Sequence, residues 1–303
     1  MARRIEWPTV AVAAGVYGAW AGLLAATPLI GATAAALLMI PVLVLHSSLQ
    51  HEIMHGHPFG DRRLNDLLGT PGLGLYLPFG RFADTHLAHH DTPDLTEPLA
   101  DPESYYVRPE DWQRYGPVRR GILQVNRCLA GRMLIAPLFF TLGLLRHDLR
   151  AIARGDGRIL RAWLAHLATV PAVLALVVYV GGIPLWLYAL ACYAALSILS
   201  IRTFLEHRAV APFRERSVII ERGGLLGFLF LNNHLHALHH ARPEVAWYRL
   251  PALYRRERDR VLTNNGGYAY PSYGAVIRRY LLAPKEPAVH PGAMPETPSA
   301  PSG

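Results

Sequence analysis

Two long stretches of the chain contain no charged side chain, and they constrain the fold more than any other feature. Residues 7–51 and 162–201 contain no Asp, Glu, Lys or Arg. A helix that crosses a lipid bilayer needs about 20 apolar residues. Each stretch is therefore long enough for two membrane spans, and the sequence predicts two helical hairpins.

The breaks inside the two stretches give the predicted span boundaries. The first hairpin is expected to turn at Thr27 and Pro28, and the second at the uncharged Gly-Gly-Ile-Pro sequence of residues 181–184, because glycine and proline interrupt helices. The fold class that follows is all-α and integral to the membrane, with four transmembrane helices. These spans are expected at residues 8–25, 30–49, 162–180 and 183–201.

The distribution of arginine predicts the orientation of the spans. Neither hairpin turn contains arginine, whereas every intervening segment does. The positive-inside rule therefore places both termini in the cytoplasm, together with a helical cap formed by residues 50–161 and 202–283. Residues 1–283 are expected to form one membrane domain.

Two further segments carry their own predictions. Residues 133–145 are apolar but too short to cross a bilayer, and they contain Pro137, so we expect an interfacial helix that does not span. Residues 284–303 are rich in proline, alanine and serine without periodicity, which predicts a disordered tail.

Composition excludes several protein classes. Hydrophobic residues make up 51% of the chain and charged residues only 17%, against roughly a quarter charged in soluble domains, which argues against a soluble globule. The net charge of +8 comes from arginines outside the apolar stretches, with no recognisable nucleic-acid module, so we expect no nucleic-acid partner. The expected location is a bacterial inner membrane.

Most of the fifteen histidines fall into three clusters. The clusters are the pair His51 and His55, the triplet His86, His89 and His90, and the triplet His236, His239 and His240. Residues three or four apart on a helix project from one face, so each cluster can direct its imidazoles at one point. Imidazole suits iron, zinc, copper and nickel, and eight histidines exceed the four ligands of a structural zinc. The clusters therefore predict two metal ions at the inner surface of the membrane.

A metal transporter or metal-storing membrane protein is the alternative from a different class. A transporter is expected to place its ligands near the bilayer midplane on broken helices. The position of the histidines relative to the bilayer therefore separates the two hypotheses.

These motifs resemble those of the membrane fatty acid desaturase superfamily, which includes acyl desaturases, hydroxylases and carotenoid ketolases. The sequence HEIMHG at residues 51–56 is similar to the first histidine box of that family, although Asp is more common where Glu52 stands. The sequence RFADTHLAHH at residues 81–90 is similar to the second box. The third is HALHH at residues 236–240, followed by WYRLP at residues 247–251.

The resemblance implies two ferrous ions (Fe²⁺) held by about nine nitrogen ligands, the ninth often following the fourth span, where His207 stands here. It also implies dioxygen as co-substrate, a hydrophobic or amphipathic substrate in the bilayer, and an external electron carrier. That carrier is expected to be a ferredoxin or a b-type cytochrome with its reductase. The expected reaction is desaturation of a lipid acyl or related aliphatic chain, and hydroxylation or carotenoid ketolation on the same scaffold is the alternative.

Other polar residues are candidates for supporting the ligands. A carboxylate that accepts the distal N–H of a ligating imidazole fixes its tautomer and raises its basicity. Several carboxylates crowd the second box, including Asp101 and Glu103. The candidate supporting residues are His46, His57, Asp84, Asp94, Asn233 and His234.

Overall fold

The computed structural model describes residues 5–293, which are mostly helical. Its α-helices are α1 (Trp7–Ile30), α2 (Ala32–Met54), α3 (Arg62–Gly69), α4 (Phe79–Asp91), α5 (Pro109–Arg114), α6 (Pro117–Val125), α7 (Leu129–Ala153), α8 (Gly157–Ala175), α9 (Leu185–Leu205), α10 (Gly224–Leu229), α11 (His236–Ala241), α12 (Leu250–Asn264) and α13 (Tyr273–Tyr280). A π-helical turn, Leu176–Val180, extends α8.

Both expected hairpins are present, but the first one turns later than predicted. Helix α1 continues through Pro28, and the chain reverses at Gly31, whose φ of +83° is a conformation that favours glycine. The second break lies at residues 181–184, as predicted, and α9 begins directly after Pro184.

Helix α7 is longer than the apolar segment that predicted it. It has 25 residues, or roughly 37 Å, because Arg132 and Arg146 lie within the helix and arginine is a good helix former. The helix Leu129–Ala153 is therefore long enough to span a bilayer, contrary to the prediction from residues 133–145. Within residues 5–293, five helices are long and apolar enough to cross a membrane. They are Trp7–Ile30, Ala32–Met54, Leu129–Ala153, Gly157–Val180 and Leu185–Leu205.

Helices α1, α2 and α9 pack together and set the position of the functional end. Trp20 of α1 donates its indole N–H to the hydroxyl of Tyr188 on α9 at 3.0 Å, inside a core that includes Met39 and Leu43 of α2. These contacts bring the C-terminal ends of α2 and α9 to the same end of the bundle. Both ends carry histidines.

A small parallel sheet departs from the all-α prediction. Strand β1 (Ile219–Arg222) pairs with β2 (Ala269–Ser272), with Ile219 opposite Ala269. The β-branched run Val218-Ile219-Ile220 favours a strand and is almost completely buried. The backbone oxygen of Val218 accepts a hydrogen bond from the N–H of Ala237 at 2.9 Å, so the sheet holds α11 in place.

Residues 284–293, here called the C-terminal strap, differ from the expected disordered tail. The backbone N–H of Val107 donates to Ala288 at 2.9 Å, and that of His290 donates to Val107 at 3.0 Å. The His290 ring is buried beside Thr96. Specific burial of a few side chains thus orders a segment whose composition lacks an apolar pattern. Residues 294–303 of the predicted tail lie outside the described part of the chain.

Candidate metal centre

Four parts of the chain bring nine histidines to one end of the helical bundle. Helix α2 carries His51 in its last turn and is followed by His55, while His207 lies just beyond the end of α9. The second triplet lies on α4 and the third on α11. The helical spacing within each box directs its histidine side chains to the same side, and the packing of α2 and α9 brings the boxes together.

The nine rings form two groups of ligand atoms, and in each group one nitrogen per ring lies within 4.8 Å of all the others. The first group, called group A, is His51, His55, His86, His90 and His239. The second, called group B, is His89, His207, His236 and His240. The structure therefore brings together every residue predicted as a ligand, and their role as ligands stays a prediction.

The spacing of the nitrogens within the groups fits metal coordination. In group B, the His207 Nε2 atom lies 2.9 Å from Nε2 of both His89 and His236. In group A, the His90 Nε2 atom lies 3.1 Å from that of His86 and 3.2 Å from that of His239. Two nitrogens bound to one ion at about 2.1 Å and at right angles to each other lie about 3 Å apart.

Several ring nitrogens are buried without a hydrogen-bond partner. Within residues 5–293 they include Nε2 of His51, His55 and His240, three of the proposed ligands. A buried polar atom without a partner loses its hydration without compensation. A metal ion inside each group supplies that compensation, so the residues present fit a two-metal centre.

Two carboxylates orient the rings of the second box. Asp101 Oδ1 lies 2.7 Å from Nδ1 of His89, and Glu103 Oε1 lies 3.1 Å from Nδ1 of His86. In both rings the Nε2 atom faces the other histidines. With Nδ1–H donated to a carboxylate, Nε2 is left free to bind a metal. Asp101 is held in turn by the backbone N–H groups of Thr96 and Glu103.

The third box has an amide in the corresponding role. Asn233 Oδ1 lies 3.0 Å from Nδ1 of His236, and its amide group donates to Glu206 at 3.0 Å. Glu206 also pairs with Arg202 at 2.9 Å. Asn233 thus contacts a box histidine, and its role in supporting a ligand stays a prediction.

Supporting contacts beyond the six predicted candidates include Glu52 and Ser217. Glu52 lies beside His51 and accepts the backbone N–H of Trp247 at 3.1 Å, which connects the first box to the sequence after the third. The Ser217 hydroxyl lies 3.2 Å from Nδ1 of His207. The sequence signal for the two glutamates is their position next to proposed ligands, Glu52 beside His51 and Glu206 beside His207, whereas Ser217 reaches His207 through a tertiary contact.

The carboxylates Asp84 and Asp94 were predicted to support the ligands, but the contacts found for them lie elsewhere. Asp84 pairs with Arg81 and Arg158. Asp94 is exposed. The loop after α4 folds back so that Asp101 and Glu103 meet the rings instead, and this return is a tertiary feature that spacing along the chain does not show.

The three histidines predicted to support the ligands also have other contacts. His46 lies against the hydroxyl of Tyr17, and His57 pairs with Glu6 at 2.7 Å. His234 packs against Gly223, where an added Cβ would lie 2.7 Å from the ring. None of these contacts reaches groups A or B.

The electrostatic environment keeps most of the rings neutral. Burial, followed by the proximity of other histidines, holds the pKa values of His236, His239 and His240 well below their usual range. Burial lowers the pKa of His90 to about 3. Neutral imidazole is the form that binds metal, so these rings need lose no proton when an ion binds.

His89 differs because it faces carboxylates. Burial lowers its pKa, but Glu103 and Asp101 outweigh that effect, and the net shift is upward. The same negative field favours any cation held by this ring, a metal ion included.

The donor set restricts which metal the site suits. Group A has five imidazoles, one more than the tetrahedral set that structural zinc prefers, and group B has four. Imidazole nitrogens bind iron, zinc, copper and nickel, so the donor set fits the metals of this group.

The family model described as fatty acid desaturase matches residues 20–272, which include all nine histidines. No curated protein matches the chain.

Proposed function

Because the chain belongs to the fatty acid desaturase family, whose members are membrane oxidoreductases, we propose that it is a two-iron, dioxygen-dependent desaturase that introduces a C=C bond into a lipid acyl or related aliphatic chain. The observation that carries the proposal is the pair of adjacent groups of five and four imidazoles. When bound, the two irons supply the activation of dioxygen needed to remove hydrogen from an unactivated C–H bond.

The protein's own residues have three tasks in this reaction. The nine imidazoles hold the ions, and Asp101, Glu103 and Asn233 fix the orientation of three of the rings. Burial excludes bulk water, which would compete for the coordination sites. The outcome of hydrogen removal then depends on where the substrate carbon is held.

The electron supply and the substrate belong to the proposal as well. Neither a haem-binding motif nor a cysteine cluster occurs in the sequence, so the electrons are expected from a ferredoxin or a b-type cytochrome with its reductase. The basic cytoplasmic surface suits an acidic carrier. The substrate is expected to reach the centre from the bilayer.

The convergence of the boxes supports a four-span arrangement, and the arginine distribution supports a cytoplasmic position for the centre. His89 on α4 and His207 after α9 lie 2.9 Å apart, so the chain between them must cross the bilayer an even number of times. Helices α7, α8 and α9 lie between them, and three crossings would separate the two rings. At least one of these helices therefore does not cross.

Helix α7 is the one that we propose to lie along the membrane surface. Near its start, Arg132 stacks over the ring of Tyr105 at 4.2 Å, and near its end Asp148 pairs with Arg81 of α4 at 2.9 Å. The two ends of α7 thus contact α4, which carries the second box, and the loop that follows α4. Leu134, Leu138 and Phe139 expose an apolar face between them, as in an interfacial helix.

The reaction is tested by expressing the chain with a compatible electron carrier under ¹⁸O₂ and profiling lipids, carotenoids and small metabolites by mass. Desaturation consumes one dioxygen and two electrons and leaves no oxygen in the product. The proposal predicts a product two hydrogens lighter than its substrate and free of ¹⁸O. A product that carries ¹⁸O would instead establish a hydroxylase or ketolase.

A further inference from the structure

The sequence contains a single lysine, Lys285, and the C-terminal strap buries it beside the proposed metal centre. Only 4% of its side chain is exposed. We propose that Lys285 is a positioning residue whose ammonium group caps the C-terminal end of α9 and fixes the main chain that carries His207. The inference rests on the proposed function, because it assumes that His207 binds a metal ion.

The end of α9 needs capping partners from outside the helix. The last carbonyl groups of a helix have no partner within it. Here Lys285 Nζ donates to the carbonyl of Phe204 at 2.9 Å, and the Tyr268 hydroxyl donates to that of Leu205 at 2.7 Å. A buried cation at this position also faces the negative end of the helix dipole, which stabilises the arrangement.

The same ammonium group also holds the main chain of His207 itself. Lys285 Nζ donates to the carbonyl of His207 at 2.6 Å, and the hydroxyl of Tyr105 donates to the same oxygen at 2.9 Å. The third proton of the ammonium can go to the Tyr268 hydroxyl at 3.0 Å. Lys285 thus ties the helix end to the residue that follows it.

The strap is itself anchored where it carries the lysine. The backbone N–H of Lys285 donates to the carbonyl of Arg127 at 2.9 Å, and Arg127 Nε donates back to the carbonyl of Glu286 at 3.0 Å. The Glu286 carboxylate accepts the hydroxyl of Tyr106, next to Tyr105. The main chain at Lys285 and at Glu286 is therefore fixed by hydrogen bonds with Arg127. The ammonium group can thus restrict the position of His207.

The proposed effect of Lys285 on metal binding is specific to group B. His207 belongs to group B, and the contacts of Lys285 reach no residue of group A. Residues that orient a metal ligand typically change metal affinity 10–100-fold when they are replaced. Loss of the ammonium should therefore loosen one ion and leave the other as it was.

The test compares Lys285→Met with wild type, with Lys285→Arg and with Arg278→Met, which removes an exposed cation from α13. Each full-length protein is purified in lipid nanodiscs and loaded with iron, and the release of iron to a chelator is followed by absorbance. We expect one of the two ions to leave about tenfold faster in Lys285→Met, with Lys285→Arg closer to wild type and Arg278→Met unchanged. Identical release from Lys285→Met and wild type, or equal acceleration of both ions, would overturn the proposal.

A second measurement uses wild-type protein and covers the case in which Lys285→Met does not fold. Because Lys285 is the only lysine, an amine acylating reagent followed by peptide mass analysis reports on this side chain alone. Metal binding and the lysine contacts must support each other reciprocally. We expect acylation of Lys285 to be about tenfold slower in the iron-loaded protein than after chelation, and equal rates would overturn the inference. Wild-type protein that binds no iron overturns the proposed function as well, whereas iron binding with equal acylation rates overturns this inference alone.

Discussion

At the scale of single residues, the ligand candidates were predictable and most of their supporting groups were not. A His-x-x-His-His triplet is a local pattern, and a helix converts its spacing into a shared direction. Asp101 and Glu103 reach the rings only because the loop after α4 folds back. Proximity along the sequence favours Asp84 and Asp94, whereas the contacts with the rings are made by Asp101 and Glu103.

The contact between Asp101 and His89 yields a matched pair of variants. Asp101 accepts hydrogen bonds on both carboxylate oxygens, and an asparagine can accept on only one of its two terminal atoms. We expect Asp101→Asn to weaken metal binding about 10–100-fold, measured by competition with a chelator. Asp94→Asn is the control, because its side chain is exposed, and it should match wild type. Equal affinity of the two variants would contradict the assigned role of Asp101.

At the scale of elements, the apolar patterns predicted the hairpins, while the helix ends depended on packing and capping. Pro28 does not end α1, and the chain turns only at Gly31. Arg132 and Arg146, which flank the apolar part of α7, do not end the helix, because arginine is a good helix former. Arg132 stacks over the ring of Tyr105, and Arg146 is exposed. The strap is ordered through contacts with Val107 and Arg127 that composition does not encode.

Helix α7 begins where the chain packs tightly against α6, and alanine substitutions at two glycines of α7 test this packing. A Cβ at Gly131 would lie 1.9 Å from the carbonyl oxygen of Val125, whereas one at Gly143 meets nothing within 4 Å. We expect Gly131→Ala to cost roughly 1–3 kcal/mol and to lower the apparent Tm in detergent, because the backbone must move. Gly143→Ala, in the same helix, should leave the Tm equal or higher. Equal Tm values would show that the junction is loosely packed.

At the scale of the whole molecule, the even number of crossings between the second box and His207 makes the topology testable. Single cysteines are introduced in a variant that lacks Cys128 and Cys192, and an impermeant thiol reagent is applied to vesicles of each orientation. We expect Val118→Cys before α7 and Arg154→Cys after it to react from the same side. Leu29→Cys, in the last turn of α1 next to the first hairpin turn, should react from the opposite side. Reaction of Val118→Cys and Arg154→Cys from opposite sides would show that α7 crosses.

The metal content of the purified chain tests whether groups A and B hold two irons. Groups A and B together predict two irons per chain by elemental analysis after purification under reducing conditions. His239 lies in group A and His240 in group B, so replacing both by alanine removes one ligand from each and should lower the iron content of both sites. We expect two irons in wild type and fewer in the double variant, as the two-iron assignment requires. A single zinc per chain, or full iron retention in the double variant, would contradict it.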